Sequence, residues 1–528
     1  MLRIAISAAA LLAATTAYAK ADAKPGTDVC PRPAAGAAVE RPADIRSRNG
    51  VLKAKLSYFT TVDNSAHTLF CYTSDKGAQS PTLHVDPGDT IKLSLANAIP
   101  QGPGGAETMS AGASVCGSAD MTRGSINFHF HGTNTTPACH GDNVIRTLIN
   151  PGETFQYRLT IPADEPPGLY WYHHHVHSLS EAALLGGASG LIVVDGIENL
   201  QPAVAGLPER LLVLRDQQPS PPMGRGGLPP SNDVSVNYVP VIFPDYKPAV
   251  IKTQFGAQEF WRVANASADT IFDIQVQYDG AAQPLQIAAL DGVPTGSQDG
   301  TRQGKLVSAN DILLGPGNRA EFIVTMPSAG VSNAQLVTLN VDTGHFGDRD
   351  PERPLAKIKA GAAPVALPRI PKASKPAPRQ RFEDLAQAKP TAQRLLYFSE
   401  VGSNFFITVD GQEQHVFDPN EPPAITTRVG AVEDWTIQNR VNDEHIFHIH
   451  QIHFLLEEVN GVAVPKDRRQ FYDTYPVAAY GGSGDYPSIK VRMDFRGDIA
   501  GDFVYHCHIL GHEDHGMMAI IRVKPAKS

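Results

Sequence analysis

Pro87-Gly88-Asp89-Thr90-Ile91-Lys92-Leu93-Ser94-Leu95 is the stretch that decides the fold class. A proline-glycine turn leads into strict alternation. Ile91, Leu93 and Leu95 point one way, Lys92 and Ser94 the other. A period of two marks a half-buried strand. The unit recurs: Pro151-Gly152-Glu153 precedes Phe155, Tyr157 and Leu159, and Pro316-Gly317-Asn318 precedes Ala320, Phe322 and Val324. Weaker copies follow Gly256 (Phe260-Trp261-Arg262-Val263) and Gly430 (Trp435, Ile437). Copies spread over three segments imply an all-β chain of consecutive β-sandwich domains. No long helical period is present, and Ser180 to Leu185 is predicted as a short helix at most.

A chain of 528 residues is long enough for about three cores. Domains are expected over 40–198, 205–346 and 392–526, with 347–391 as an extended proline-rich linker and Pro219 to Pro230 as a loop. The hydrophobic share of 42% and charged share of 19% are those of a globular protein. A net charge of −9 argues against nucleic acid or an anionic membrane face as the main partner. Arg3, the apolar run Ile4 to Ala14 and Ala17-Tyr18-Ala19 read as a signal peptide over 1–19. That run is too short to span a bilayer, so the mature protein is expected to be periplasmic or secreted, without a membrane anchor. Export permits disulfides. The cysteines are Cys30, Cys71, Cys116, Cys139 and Cys507. Setting Cys507 aside leaves three pairings. Cys116–Cys139, bracing the segment around His129, and Cys30–Cys71, tying down the N-terminal arm, are favoured.

Histidines carry the chemistry. With 19 in the chain, one H-x-H is expected about 0.7 times by chance. Four clusters occur. In Asn127-Phe128-His129-Phe130-His131-Gly132, strand alternation puts both histidines on one face and both phenylalanines on the other. In Trp171-Tyr172-His173-His174-His175-Val176-His177, His173 and His175 share a face; His174 and His177 read as supporting or solvated. In His445-Ile446-Phe447-His448-Ile449-His450, His448 and His450 share a face, and His445 must serve another site or bend round; His453 reads as ordinary polar core or surface. The fourth is His506-Cys507-His508-Ile509-Leu510-Gly511-His512, followed by Gly516-Met517. In a strand, Cys507 points away from both flanking histidines, so one tripeptide serves two sites back to back. A thiolate, two imidazoles and a weak thioether form the blue-copper ligand set. A tetrahedral zinc site uses the same residue types but leaves most of the paired histidines unexplained.

These clusters, in this order, resemble the copper-binding motifs of the multicopper oxidases, and the similarity covers nearly the whole mature chain. Supporting phrases are Ala163-Asp164-Glu165-Pro166-Pro167-Gly168, Ser189-Gly190-Leu191-Ile192-Val193, Leu290-Asp291-Gly292-Val293-Pro294 and Leu314-Gly315-Pro316-Gly317-Asn318-Arg319-Ala320. The resemblance is to three-domain, laccase-like bacterial enzymes. It implies three cupredoxin-like Greek-key sandwiches and four copper ions. Cys507, His445 and His512, with axial Met517, would bind the type 1 copper. His129 and His448 would bind the type 2 copper, and His131, His173, His175, His450, His506 and His508 the type 3 pair. Domain two would then be a spacer. Asp142, thirteen residues after His129, resembles the family's acid near the oxygen channel; the alternative is a turn aspartate. Glu513 resembles a proton-relay acid; the alternative is a surface carboxylate. Ile446 and Gln451 stand where proline and glycine are usual, and there is no methionine-rich insert.

The implied activity is one-electron oxidation of phenolic or similar donors coupled to reduction of dioxygen to water, by a monomer. A metallo-oxidase for cuprous, ferrous or manganous ions is the alternative, with Glu444 beside His445 as a local hint. A non-enzymatic copper-binding protein is a third reading.

Overall fold

The structure is a computed structural model. It describes residues 29–100, 109–110, 116–218, 229–296, 305–373, 381–382 and 384–526. The expected signal peptide and most of the Pro219 to Pro230 loop lie outside them.

The chain forms three consecutive cupredoxin-like Greek-key β-sandwiches. In the first, a five-stranded sheet runs in the order Asp44–Arg46, Thr82–Val85, Ser189–Val194, Gly168–His173, His129–His131. A four-stranded sheet in the order Thr154–Thr160, Thr90–Asn97, Val51–Val62, Thr68–Ser74 faces it. Ile91, Leu93 and Leu95 are buried between the sheets while Lys92 is exposed. The third sandwich pairs the sheet holding Val432–Asn439 and Ser488–Asp494 with one ordered Ile425–Arg428, Met518–Lys524, Gly501–Cys507, His445–Ile449, Thr474–Val477.

The repeated proline-glycine turns have a common geometry. Gly88, Gly152 and Gly317 stand at φ of 91°, 87° and 91°. Proline pre-sets the first turn position, and the second needs the left-handed region that glycine enters without strain. Each turn delivers the strand that alternation predicts: Thr90–Asn97, Thr154–Thr160 and Arg319–Thr325. Gln258–Asn265 and Val432–Asn439 follow the weaker copies, and Ser180–Leu185 is a helix.

The expected linker needs correction. Arg353–Gly361 is a strand of the second sandwich, parallel to Ala249–Gln254 and antiparallel to Ala334–Leu339. Leu355, Ala356 and Ile358 are buried there, and Lys357 and Lys359 face out. A register shift at Leu355 breaks the alternation, which leaves only Ala356 and Ile358 in period, with charge and proline around them. Further on, Phe382 and Leu385 are buried against Leu455 and Phe471, so this end of the segment is anchored rather than extended.

The three sandwiches share apolar contacts. Trp171 and Val193 from the first, Val213 and Ala264 from the second and Leu510 from the third form one buried group. Both disulfides favoured from sequence are present, Cys30–Cys71 and Cys116–Cys139, and Cys507 is free and buried. No helix among the described residues is long and apolar enough to cross a membrane.

Candidate metal centre

The edge strand His129–His131 pairs with Gly168–His173, placing His173 opposite His129. In the third sandwich His445–Ile449 pairs with Gly501–Cys507, placing His448 opposite His506. The histidine faces of the two sheets meet. His131 stacks on His448 with ring centroids 4.1 Å apart, and His129 on His450 at 3.9 Å. The Nε2 atom of His506 lies 3.3 Å from that of His175 and 3.2 Å from that of His450. His508 faces His131 and His448 at 5.0 and 5.3 Å between ring centroids. Eight buried imidazoles therefore converge, four from each terminal sandwich. Phe128 and Phe130 turn to the opposite face and pack in the first core.

Several of these imidazoles have one nitrogen held by an outer partner and the other left without one. His129 Nδ1 lies 3.0 Å from Asp142, and His131 Nε2 3.3 Å from Asp473. The Nδ1 groups of His173, His448 and His506 donate to the carbonyls of His174, Asp473 and Cys507 at 2.8, 2.7 and 2.8 Å. His129 Nε2, His131 Nδ1, His173 Nε2, His448 Nε2, His450 Nδ1 and both nitrogens of His508 have no hydrogen-bond partner among the described residues. A buried polar atom left unpaired costs about 1–3 kcal/mol. Such a set, converging within 4.8 Å in His129/His131/His173, His129/His448/His450 and His175/His450/His506, has the chemistry of a cation site. Burial, and then mutual repulsion, holds these imidazoles below their ordinary pKa and therefore neutral, the form that ligates metal.

On the other side of Gly501–Cys507 lies a second set. Cys507 Sγ is 3.6 Å from His445 Nδ1 and 3.8 Å from His512 Nδ1, and the two imidazole nitrogens are 3.0 Å apart. Ile446 N–H donates to the sulfur at 3.4 Å. Cys507 N–H donates to the Met517 carbonyl at 3.1 Å. Met517 is buried in the same apolar group as Cys507, whereas Met518 packs with Val144, Val504 and Ile520. His512 is 17% exposed, while His445 is fully buried. Phe405 stacks on His512 at 4.6 Å.

Two carboxylates escaped the sequence reading. His445 Nε2 lies 3.6 Å from Glu400 and 3.5 Å from Asp443, and His512 Nε2 lies 3.6 Å from Asp443. Glu444, the residue singled out from sequence, is buried and its backbone N–H donates to Thr343. Alternation held the clue to Asp443, because position i−2 shares the His445 face and i−1 does not. Nothing local pointed to Glu400, which arrives on the strand Ala392–Val401. Burial, then the neighbouring Glu400, pushes the Asp443 carboxyl up to about 8.

Asp142 is 1% exposed. It accepts from His129 Nδ1, from Phe130 N–H at 3.1 Å and from Gln451 Nε2 at 2.6 Å. Burial pushes its carboxyl up to about 7, against those bonds. Glu513 is fully buried, 3.8 Å from His175 Nδ1, and both its oxygens lack a hydrogen-bond partner among the described residues. The helix Leu510–Asp514 turns His512 outward and Glu513 inward. His174 lies off the cluster, with its Nε2 donating to the Ser125 carbonyl, and His177 packs on Phe417. His453 is buried, with its Nε2 donating to the Asp291 carbonyl at 2.8 Å.

A cupredoxin-like protein with a cysteine–histidine site beside an eight-histidine cluster is what fold and geometry define. Family models described as multicopper oxidase match residues 120–198 and 387–527. The chain belongs to the multicopper oxidase family. It is 22% identical over 456 residues to "Multicopper oxidase mco" of Staphylococcus haemolyticus, covering 84% of this chain and 81% of the relative. In fold it is similar to a variant of the McoA multicopper oxidase of Aquifex aeolicus, with a TM-score of 0.68, 19% identity and coverage of 92% and 99%. It is also similar to a multicopper oxidase of Campylobacter jejuni described as a metallo-oxidase, with a TM-score of 0.63, 21% identity and coverage of 93% and 96%.

Proposed function

We propose that the chain is an exported copper oxidoreductase that takes single electrons from a small donor at the Cys507 site and passes them to dioxygen at the histidine cluster. The observation that carries this reading is the back-to-back placement of the two sites on one strand, ending Tyr505-His506-Cys507. Cys507, His445 and His512, with Met517, would hold one copper; His129, His131, His173, His175, His448, His450, His506 and His508 would hold three. The fit rests on the orphaned imidazole nitrogens and on a soft sulfur donor paired with two imidazoles. Bound copper would supply one-electron redox chemistry at the first site and four-electron reduction of dioxygen to two waters at the second.

The chain's own groups do the rest. His512 is the ligand nearest solvent, so a donor approaches there. The Cys507 carbonyl accepts from His506 Nδ1, a short covalent and hydrogen-bonded connection between the sites. Two waters require four protons. Asp142 and Glu513 are buried carboxyls at the cluster, and burial disfavours both anions, pushing Asp142 up to about 7 and Glu513 well above its ordinary value, so each can hold a proton for the cluster.

A phenolic donor is the reading carried from sequence. Glu400 and Asp443 favour a metal-ion donor, because their oxygens converge with two imidazoles at the electron-entry side. Oxygen uptake with a phenol, ferrous ion and cuprous ion decides between them. Glu400→Gln with Asp443→Asn should raise KM for the metal ions alone if they are donors. An equal effect on the phenol removes that reading. A Cys507→Ser protein that keeps its blue colour and turnover removes the whole proposal.

A further inference from the structure

The second sandwich reaches the histidine cluster. Its turn Pro316-Gly317-Asn318-Arg319 lies against it: a Cβ on Gly317 would come within 3.2 Å of His131 and 3.1 Å of His508. Arg319, wholly buried, makes a two-pronged contact with Asp473 of the third sandwich, Nη1 to Oδ1 at 2.8 Å and Nη2 to Oδ2 at 2.6 Å. Its Nε donates to the Leu169 carbonyl of the first sandwich at 3.1 Å. The pair fills the space beside Gly132, where a Cβ would meet the guanidinium at 2.5 Å and the carboxylate at 2.6 Å.

Asp473 touches two cluster histidines in different ways. Its Oδ1 takes Arg319 Nη1, the Thr474 hydroxyl at 2.8 Å and His131 Nε2 at 3.3 Å. A carboxylate only accepts, so His131 carries its proton on Nε2 and turns its lone pair out through Nδ1. The Asp473 carbonyl accepts from His448 Nδ1 at 2.7 Å, so His448 offers the opposite nitrogen, Nε2. Both offered atoms are among the unpartnered ones. One residue thus sets opposite tautomers in two stacked rings, and the guanidinium fixes that residue.

We infer that Arg319 is a positioning residue for the histidine cluster, acting through Asp473 to fix the tautomer and pose of His131 and His448. The second sandwich is then part of the site and not only a spacer. The inference rests on reading the cluster as a copper site.

The test uses copper-loaded full-length protein and the variants Arg319→Gln, Arg319→Lys and Asp473→Asn. A competing chelator is titrated while copper per chain and the blue thiolate band are followed. Losing an outer partner of a ligating histidine typically weakens metal binding about 10–100-fold. Arg319→Gln and Asp473→Asn should therefore release cluster copper at a chelator concentration lower by about that factor, with the blue band of the Cys507 site unmoved. Arg319→Lys, which keeps the charge without the fork, should fall between. Wild-type midpoints in all three variants overturn the inference. So does parallel loss of cluster copper and blue band, since general loosening moves both. If Arg319→Gln fails to fold, the other two variants decide on the same readout. Wild-type protein that holds no copper beyond the Cys507 site overturns the copper reading itself, and the inference with it.

Discussion

The Cys116–Cys139 bridge ties a strand residue, Cys116 paired with Thr147, to the loop that presents Asp142. Replacing both cysteines by serine releases a closed loop with a sequence separation of 23. Loop-closure entropy for that length is about 3 kcal/mol, all of it in the unfolded chain. A domain of roughly 150 residues shifts about 2–4 °C per kcal/mol, so its melting temperature should fall by about 6–12 °C. The site should feel little of this. Asp142 is anchored independently by His129, Phe130 and Gln451, and its N–H donates to the Thr136 carbonyl at 2.9 Å. Copper content, blue colour and oxygen uptake at 25 °C should therefore match the wild type. Calorimetry of the substituted protein is cleaner than adding a reductant, which would also attack the Cys507 site. Unfolding at the wild-type temperature would refute the reasoning, because the loop would then be held by its local hydrogen bonds alone. Lost copper at an unchanged melting temperature would refute the claimed independence of the Asp142 anchor.

Asp142→Asn should keep copper content, because the unpartnered Gln451 Oε1 can turn to accept from the new amide. Oxygen uptake should fall about 100-fold or more, the usual scale for a lost proton donor; an unchanged rate at every pH leaves Asp142 only its role of orienting His129. Met517→Leu should raise the potential of the Cys507 site, where about 59 mV is a tenfold change in a one-electron equilibrium, while Met518→Leu should barely move it. Redox titration showing a shift in Met518→Leu alone would reject the assignment of the axial ligand. His84 lies between Asp44 at 3.3 Å and Asp195 at 3.1 Å. Burial lowers its pKa, but the bonds to Asp195 and Asp44 outweigh burial and leave it above 6.5. Its stabilising contribution is therefore complete below about 6.5 and lost as pH rises through the raised folded value. Urea midpoints across that range should decline in the wild type and less so in His84→Gln; parallel curves would remove the effect.

What was legible in the sequence follows from how far apart the deciding residues lie. Strand alternation is local, so the turn-and-strand units and the division of His129 and His131 from Phe128 and Phe130 could be read directly. The opposite facing of Cys507 and its flanking histidines could be read the same way. Partners brought in from other strands could not. Glu400 meets His445 across 45 residues of chain, and Arg319 meets Asp473 across 154. Arg319 sat inside a quoted motif, but nothing local tells a buried guanidinium that reaches another sandwich from one that serves its own. The strand Arg353–Gly361 was hidden for a different reason: only Ala356 and Ile358 alternate with the exposed Lys357 and Lys359, a register shift at Leu355 breaks the pattern before them, and prolines crowd the residues after it.

The register between His445–Ile449 and Gly501–Cys507 controls both sites at once. Phe447 stands opposite Cys507 and His448 opposite His506. Because the side-chain period is two, shifting Gly501–Cys507 by one residue would send His506 to the sulfur side and Cys507 to the cluster. No partial loss is available: the thiol would leave His445 and His512 in the same step that removes His506 from His175 and His450. The fold guards that register with buried side chains. Phe447 and Tyr505, which alternate with the ligands, are fully buried in the third core beside Trp435 and Phe454. The packing that makes the sandwich stable is therefore also what keeps the donor set for one-electron chemistry apart from the donor set for dioxygen, one strand's thickness away.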